Sequence, residues 1–199
     1  MDKYRTISKP SEPVVYKNRK SKFYGFAFPI SDVTEVPPIL NTLHQRYDKA
    51  NHVCYAWKLG VDRIEYRTND DGEPNNSAGK PIYGQIQAFE LTNVLVAVVR
   101  YFGGTKLGMG GLISAYRTVA EMALSQADRI EKYVEHYFDI QFEYQLMSAV
   151  MRVIRKWNIT IHAQAMEENC AMKLSLRKSK STGALKELQD IYGLQIKMN

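Results

Sequence analysis

Covalent crosslinks and cysteine-based metal knuckles have almost nothing to build on in this chain. Its 199 residues contain two cysteines, Cys54 and Cys170, far apart in sequence. That count excludes a disulfide framework and favours reduced thiols. Histidine is scarce too, at four, and His52 with Cys54 has no second ligand pair at zinc spacing. A deaminase would add a glutamate two residues after the histidine and a Pro-Cys-x-x-Cys run, and both are missing. Long apolar runs are absent as well: the longest aliphatic stretch, Val94–Val99, has six residues, against the roughly 20 that a membrane helix needs. The opening "MDKYRTISKP" lacks the basic-then-apolar order of a secretory signal, so a cytoplasmic protein without a membrane partner is expected. Acidic residues are outnumbered, 21 to 27, which leaves a net charge of +6. Such an excess suits a polyanionic partner without requiring one.

What is present is an ordinary globular composition, 45% hydrophobic and 24% charged. Glu12–Tyr16 and Lys22–Ile30 are apolar segments of strand length on either side of the basic turn "KNRKSK". Ser31 and Asp32 offer caps for a helix on which Val36, Leu40, Leu43 and Tyr47 recur. "HVCYAWKL" and "RIEYRT" form a hairpin around "GVD". After the polar stretch "NDDGEPNNSAGKP", Ile82, Ile86 and Phe89 predict a short helix. Asn93–Val99 reads as a strand buried on both faces, and Leu112, Ile113, Tyr116, Val119, Ala120, Ala123 and Leu124 as the stripe of a longer helix.

The character turns polar around Ala127–Glu135, and a second cycle follows. It reads as strand Val134–Phe142, helix Gln145–Lys156, strands Ile159–Ala165 and Cys170–Leu176, helix Thr182–Tyr192 and strand Leu194–Met198. That βαββαβ order is the ferredoxin-like pattern. The expectation is an α+β chain of two domains, residues 1–130 and 131–199.

Two segments carry the chemistry. The run "RYFGGTKLGMGGL" sets Gly103, Gly104, Gly108, Gly110 and Gly111 between an apolar strand and a helix. Strand, glycines, helix is the layout of phosphate-binding loops, because bare N–H groups at a helix start attract anions. The nucleotide templates fail. Gly103 and Gly108 have the Walker spacing, but Met109 and Gly110 stand where lysine and a hydroxyl belong. G-x-G-x-x-G meets Ile113 at its third glycine. Glycines that only shape a turn do not require cations beside them. With Arg100, Lys106 and Arg117 they make a candidate anion- or RNA-binding group.

The second segment, "NDDGEPNNSAG", gathers Asp70, Asp71, Gly72, Glu73, Pro74, Ser77 and Gly79. Its oxygens suggest a divalent cation, yet with Gly72 at the sixth place of a calcium loop, Arg67 and Ala78 occupy the first and twelfth. Asp-Gly and Glu-Pro are turn dipeptides, and a solvated acidic turn is the plainer reading. Ser77 lacks the first glycine of G-x-S-x-G, where Asn75 stands, so a serine hydrolase is not indicated. "FYGFAF" and the "RKSK" of Arg177–Lys180 could supply rings and cations to RNA, but a core strand and a solvated turn account for them.

Together these segments resemble the IMPACT family, including its bacterial YigZ-type members. "NDDGEPNNSAGKPI" is similar to the family's acidic signature, and "VVRYFGGTKLGMGGLISAYRTVAEMAL" to its glycine signature. "SKFYGFAFPI" and "ANHVCYAW" resemble the strands that precede them. Two departures stand out: Asn76-Ser77 where the family has Gly-Thr, and Ser114 where arginine is common. The resemblance implies an N-terminal α+β fold shared with the second domain of a small-subunit ribosomal protein and with domain IV of elongation factor G. It implies a ferredoxin-like C-terminal module similar to the last domain of that factor, and a role linked to translation or nucleic acid.

The leading functional expectation is a protein that docks on RNA or the ribosome through the glycine loop, with no cofactor. A translation-regulatory protein is a further possible partner. The alternative is an enzyme acting on an anionic substrate. In it Asp70, Asp71 and Glu73 hold Mg²⁺ or move protons, while Lys106 and Arg100 stabilise developing charge. The alternative places those carboxylates beside Lys106.

Overall fold

The computed structural model describes residues 2–198. The chain divides into two compact units, one of Lys3–Lys132 and one from Tyr133 onward that also takes in Asp2.

In the first unit the strands are β1 (Lys3–Ile7), β2 (Val14–Asn18), β3 (Ser21–Pro29), β4 (His52–Leu59), β5 (Glu65–Asn69), β6 (Val94–Tyr101) and β7 (Arg129–Tyr133). The helices are α1 (Val36–Arg46), α2 (Gly79–Ala88) and α3 (Gly108–Gln126). Five strands form one antiparallel sheet in the order β2-β3-β6-β4-β5. Its centre is β6, whose residues Val94–Val99 are all inaccessible to solvent, as an apolar run without alternation requires. On one face, Phe23, Ala27, Cys54, Ala56, Val96 and Val98 meet Ile82 and Ile86 of α2 and Tyr116, Val119 and Ala123 of α3. On the other, α1 covers an aromatic layer that includes Phe26, Tyr55 and Trp57. Asp32, one of the two expected caps, caps not α1 but the single 3-10 turn Val33–Glu35 that leads into it: Asp32 accepts from Thr34 N at 2.8 Å, and Glu35 accepts from Asp32 N at 3.0 Å. The residue flanking α1, Glu35, makes no side-chain cap of its own.

Two strands were not visible as periodicity. β1 and β7 pair with each other in a separate two-stranded sheet, in segments too polar to alternate. They are held partly by charge, with Lys3 Nζ 3.1 Å from Glu131 Oε2. β7 therefore occupies part of the polar stretch Ala127–Glu135.

The second unit contains β8 (Glu135–Glu143), α4 (Met147–Trp157), β9 (Thr160–Ala165), β10 (Asn169–Arg177), α5 (Lys178–Gln189) and β11 (Gln195–Met198). Sheet order β11-β8-β10-β9, antiparallel throughout, is the ferredoxin-like arrangement. Phe138, Ile140, Met172 and Leu174 face Val150, Ile154, Ala184 and Leu188 in its core. The "RKSK" segment is not a turn: Arg177 closes β10, and residues 178–180 begin α5.

Candidate functional site

The acidic segment links β5 to α2, and each of its three carboxylates accepts a hydrogen bond from the first unit, Glu73 alone being buried. Asp70 accepts from the backbone N–H groups of Asn76 at 2.8 Å, Ala78 at 3.0 Å and Gly79 at 2.8 Å. It thereby satisfies the start of α2, whose flanking residue Ala78 has no capping side chain. Asp71 accepts from Val53 N at 2.6 Å, and its carbonyl oxygen lies 2.7 Å from His52 Nδ1. Both contacts fasten the loop to β4. Asp71 and Gly72 have φ of 41° and 82°, a bend that glycine takes at no steric cost. Pro74 is exposed and its carbonyl accepts from Ser77 N at 3.0 Å. Ser77 is fully buried with an unpartnered hydroxyl. Gly79 is buried, and a Cβ there would fall 2.7 Å from Asn69 N.

Glu73 is the unusual member. Its side chain is 4% exposed, and one oxygen, Oε1, lies 2.5 Å from Arg100 Nη1 and 2.7 Å from the Tyr116 hydroxyl. Arg100 comes from β6 and Tyr116 from α3, so the two signatures meet in a buried ion pair with a phenol donating to it. The Arg100 guanidinium also lies over the rings of Phe23 and Phe102, at 5.4 and 5.5 Å. His52 Nε2 is 3.9 Å from the same Glu73 oxygen. The Cys54 thiol donates to the Asp70 carbonyl at 3.0 Å and sits 3.3 Å from the Tyr116 hydroxyl. Burial pushes both the Cys54 thiol and the Tyr116 phenol well above their ordinary ranges, and the neighbouring Glu73 charge adds to each shift. Both stay protonated as donors, and the thiol is no nucleophile.

The glycine segment has two parts. Arg100 and Gly103 belong to the packed interior edge. A Cβ on Gly103 would lie 2.1 Å from the carbonyl carbon of Lys20, so only glycine fits under the β2–β3 turn. Beyond it the chain is open: Gly104 and Gly108 have left-handed φ of 84° and 74°, while Gly110 has free space around it. A Cβ on Gly111 would lie 3.0 Å from Leu107 Cβ. Gly108, Gly110 and Gly111 form the first turn of α3. Lys106 and Arg117 are exposed, and neither forms an ion pair among the described residues. Arg117 borders a groove of about 420 Å³ between α2 and α3, together with Asn76, Lys80, Pro81, Gly84 and Ile113.

Two expectations are corrected. Arg100, 5% exposed and committed to Glu73, does not face an anion in solution. None of the three carboxylates pairs with Lys106 among the described residues: Asp70 and Asp71 accept from backbone N–H groups, and Glu73 binds Arg100. Tyr116 was legible only as one residue of an apolar stripe, and His52 and Cys54 as satisfied strand residues. Lys80 lies inside the quoted acidic segment, yet nothing in one dimension brings it opposite Arg117.

Residues 19–124 match the model described as the Impact N-terminal domain. The chain is 31% identical over 145 residues to the IMPACT family member YigZ of Escherichia coli, covering 71% of each chain. A crystal structure described as that of a hypothetical protein shares 26% identity and a TM-score of 0.76, covering 98% of this chain and 97% of the other. A structure of the two-domain translational regulator Yih1 is 28% identical with a TM-score of 0.39, covering 58% of this chain and 46% of that one.

Proposed function

Because the chain belongs to the IMPACT family, we propose that it is a translation-linked binding protein that docks on RNA or the ribosome through the exposed cations of its glycine signature. The observation that carries this reading is the separation of charge in the first unit. Every carboxylate of the acidic signature accepts internal hydrogen bonds, while Lys106 and Arg117 stand exposed beside an open, glycine-rich helix start. The acids therefore fold the loop, and the exposed Lys106 and Arg117 are left for a partner. Cations and backbone N–H groups at such a place are suited to phosphate, whose contacts dominate nucleic-acid affinity. Family membership supports the translational side of the reading.

The enzymatic alternative draws on Asp70, Asp71 and Glu73, whose oxygens already accept from backbone, arginine and phenol groups. Recruiting them to a metal would break α2's start and strand Arg100 in the interior.

In-cell RNA crosslinking with sequencing tests the proposal. The wild-type chain should recover RNA above background, and a Lys106→Ala, Arg117→Ala variant should lose most of it. A wild type that recovers none, or a variant that recovers as much, overturns the reading.

A further inference from the structure

The β2–β3 hairpin breaks two local rules at once. Its two-residue loop, Arg19–Lys20, has φ of 44° and 66°, the left-handed pair of a type I′ turn. Asn-Gly or Asp-Gly suits that turn, and long side chains do not. Beside it the register sets Lys17 directly opposite Lys22, a like-charge pair that repels across the ladder. All four cations are exposed, and none forms an ion pair among the described residues.

The surroundings nevertheless hold this turn in place. Asn18 pairs with Ser21. Ser21 Oγ accepts from Gly103 N at 3.2 Å and lies 3.4 Å from Arg100 Nη2. Gly103 presses against Lys20 from below, as its lack of room for a Cβ shows. Strain kept by such support is characteristic of functional sites. Rings adjoin the cations. Lys22 pairs with Tyr101 on β6, which puts both side chains on one face, and Tyr24 follows two residues on. Tyr24 and Tyr101 are 6.0 Å apart, and Phe102 is 44% exposed. Tyr24 and Tyr101 are half-buried against Tyr47, so the exposed ring is that of Phe102. Cations beside an exposed ring are how proteins hold single-stranded nucleic acid, whereas an acidic peptide would use the cations and leave the ring idle.

Resting on the docking reading above, the geometry points to the β2–β3 hairpin as a contact surface for single-stranded RNA. Lys17, Arg19, Lys20 and Lys22 take its phosphates, Phe102 stacks a base, and Tyr24 and Tyr101 border the track. The buried Glu73–Arg100 pair supports the hairpin through Ser21 and so serves recognition indirectly.

The test replaces the turn by its unstrained optimum, Arg19→Asn with Lys20→Gly, in the full chain. Tm should rise by about 2–4 °C, since strain is relieved. Binding to a labelled oligouridine, followed by anisotropy, should weaken, and the slope of log K against log salt should fall by about 1.4 for two lost phosphate contacts. A Lys17→Ser, Lys22→Ser variant should lose a similar slope. If both hairpin variants keep the wild-type slope while Lys106→Ala, Arg117→Ala loses it, the hairpin assignment falls and the docking reading stands. If the wild type ignores oligouridine at low salt yet binds polyglutamate, both fall.

Discussion

Replacing Glu73 by alanine should be among the most damaging single changes in the first unit, for a reason that has nothing to do with ligand contact. The change leaves Arg100 charged, with a side chain only 6% exposed, and deprives the Tyr116 hydroxyl of its acceptor. Exposed ion pairs contribute about 0–1 kcal/mol, but removing one partner of a buried pair costs about 3–5 kcal/mol. The faces of Phe23 and Phe102 keep part of the guanidinium's stabilisation, each on the order of 0.5–2 kcal/mol, so a loss near 4 kcal/mol is expected. Replacing both partners by shape-matched apolar residues, Glu73→Leu with Arg100→Met, should cost less than either single change, because no charge is left unpaired. Urea unfolding provides the assay. Trp57 reports on the first unit and Trp157 on the second, so a Trp157→Phe background isolates the first. With an m-value of about 2 kcal/mol/M, the midpoint should drop by about 2 M for Glu73→Ala. A loss under about 1 kcal/mol, or a double variant whose cost equals the sum of the singles, would refute the buried-pair account.

The Cys54 and Tyr116 shifts set an alkaline limit. Their folded values are raised above the ordinary 9.0 and 10.0, so their contribution to stability is complete below pH 9 and is lost as pH rises. The decline should reach about 1.4 kcal/mol per pH unit for each group. Tyr116→Phe should remove the part that begins near pH 10, and an unchanged alkaline slope in that variant would count against the geometry. Asp70→Ala strips three backbone N–H groups at the start of α2 of their acceptor and should cost about 2 kcal/mol. Asp70→Asn should recover only part of this, as thermal unfolding would show. Gly103→Ala drives a methyl group into the backbone of Lys20 and should cost about 1–3 kcal/mol, with exchange protection falling first in the β2–β3 hairpin. Mg²⁺ should leave the melting temperature unchanged, because the carboxylates are already engaged. A rise of several degrees would revive the metal-assisted reading.

The sequence carried much of this architecture. The unbroken apolar run at Val94–Val99 located the central strand, the stripe through Tyr116 located α3, and Ser31 with Asp32 marked where the helical region begins. These are local or periodic properties. Pairing across the fold is not. Glu73 looked like one more acid in a solvated turn, and its partner lies 27 residues on, so only the closing of β6 against the loop distinguishes it from Asp70 and Asp71. Arg100 drew notice as a cation beside glycines, yet its burial follows from Phe23 and Tyr116 closing over it. β1 and β7 escaped because strands held partly by ion pairs need no apolar alternation. The hairpin turn was visible as a basic turn, but Arg-Lys is no turn dipeptide, so its left-handed geometry had no signature.

The most direct measurement of the central claim is co-sedimentation of the purified full chain with ribosomal particles at about 50 and 200 mM salt. The account predicts stoichiometric association at the lower concentration, loss of most of it at the higher, and weaker association throughout for Lys106→Ala, Arg117→Ala. No association at low salt, or association that neither salt nor the double variant alters, would contradict it.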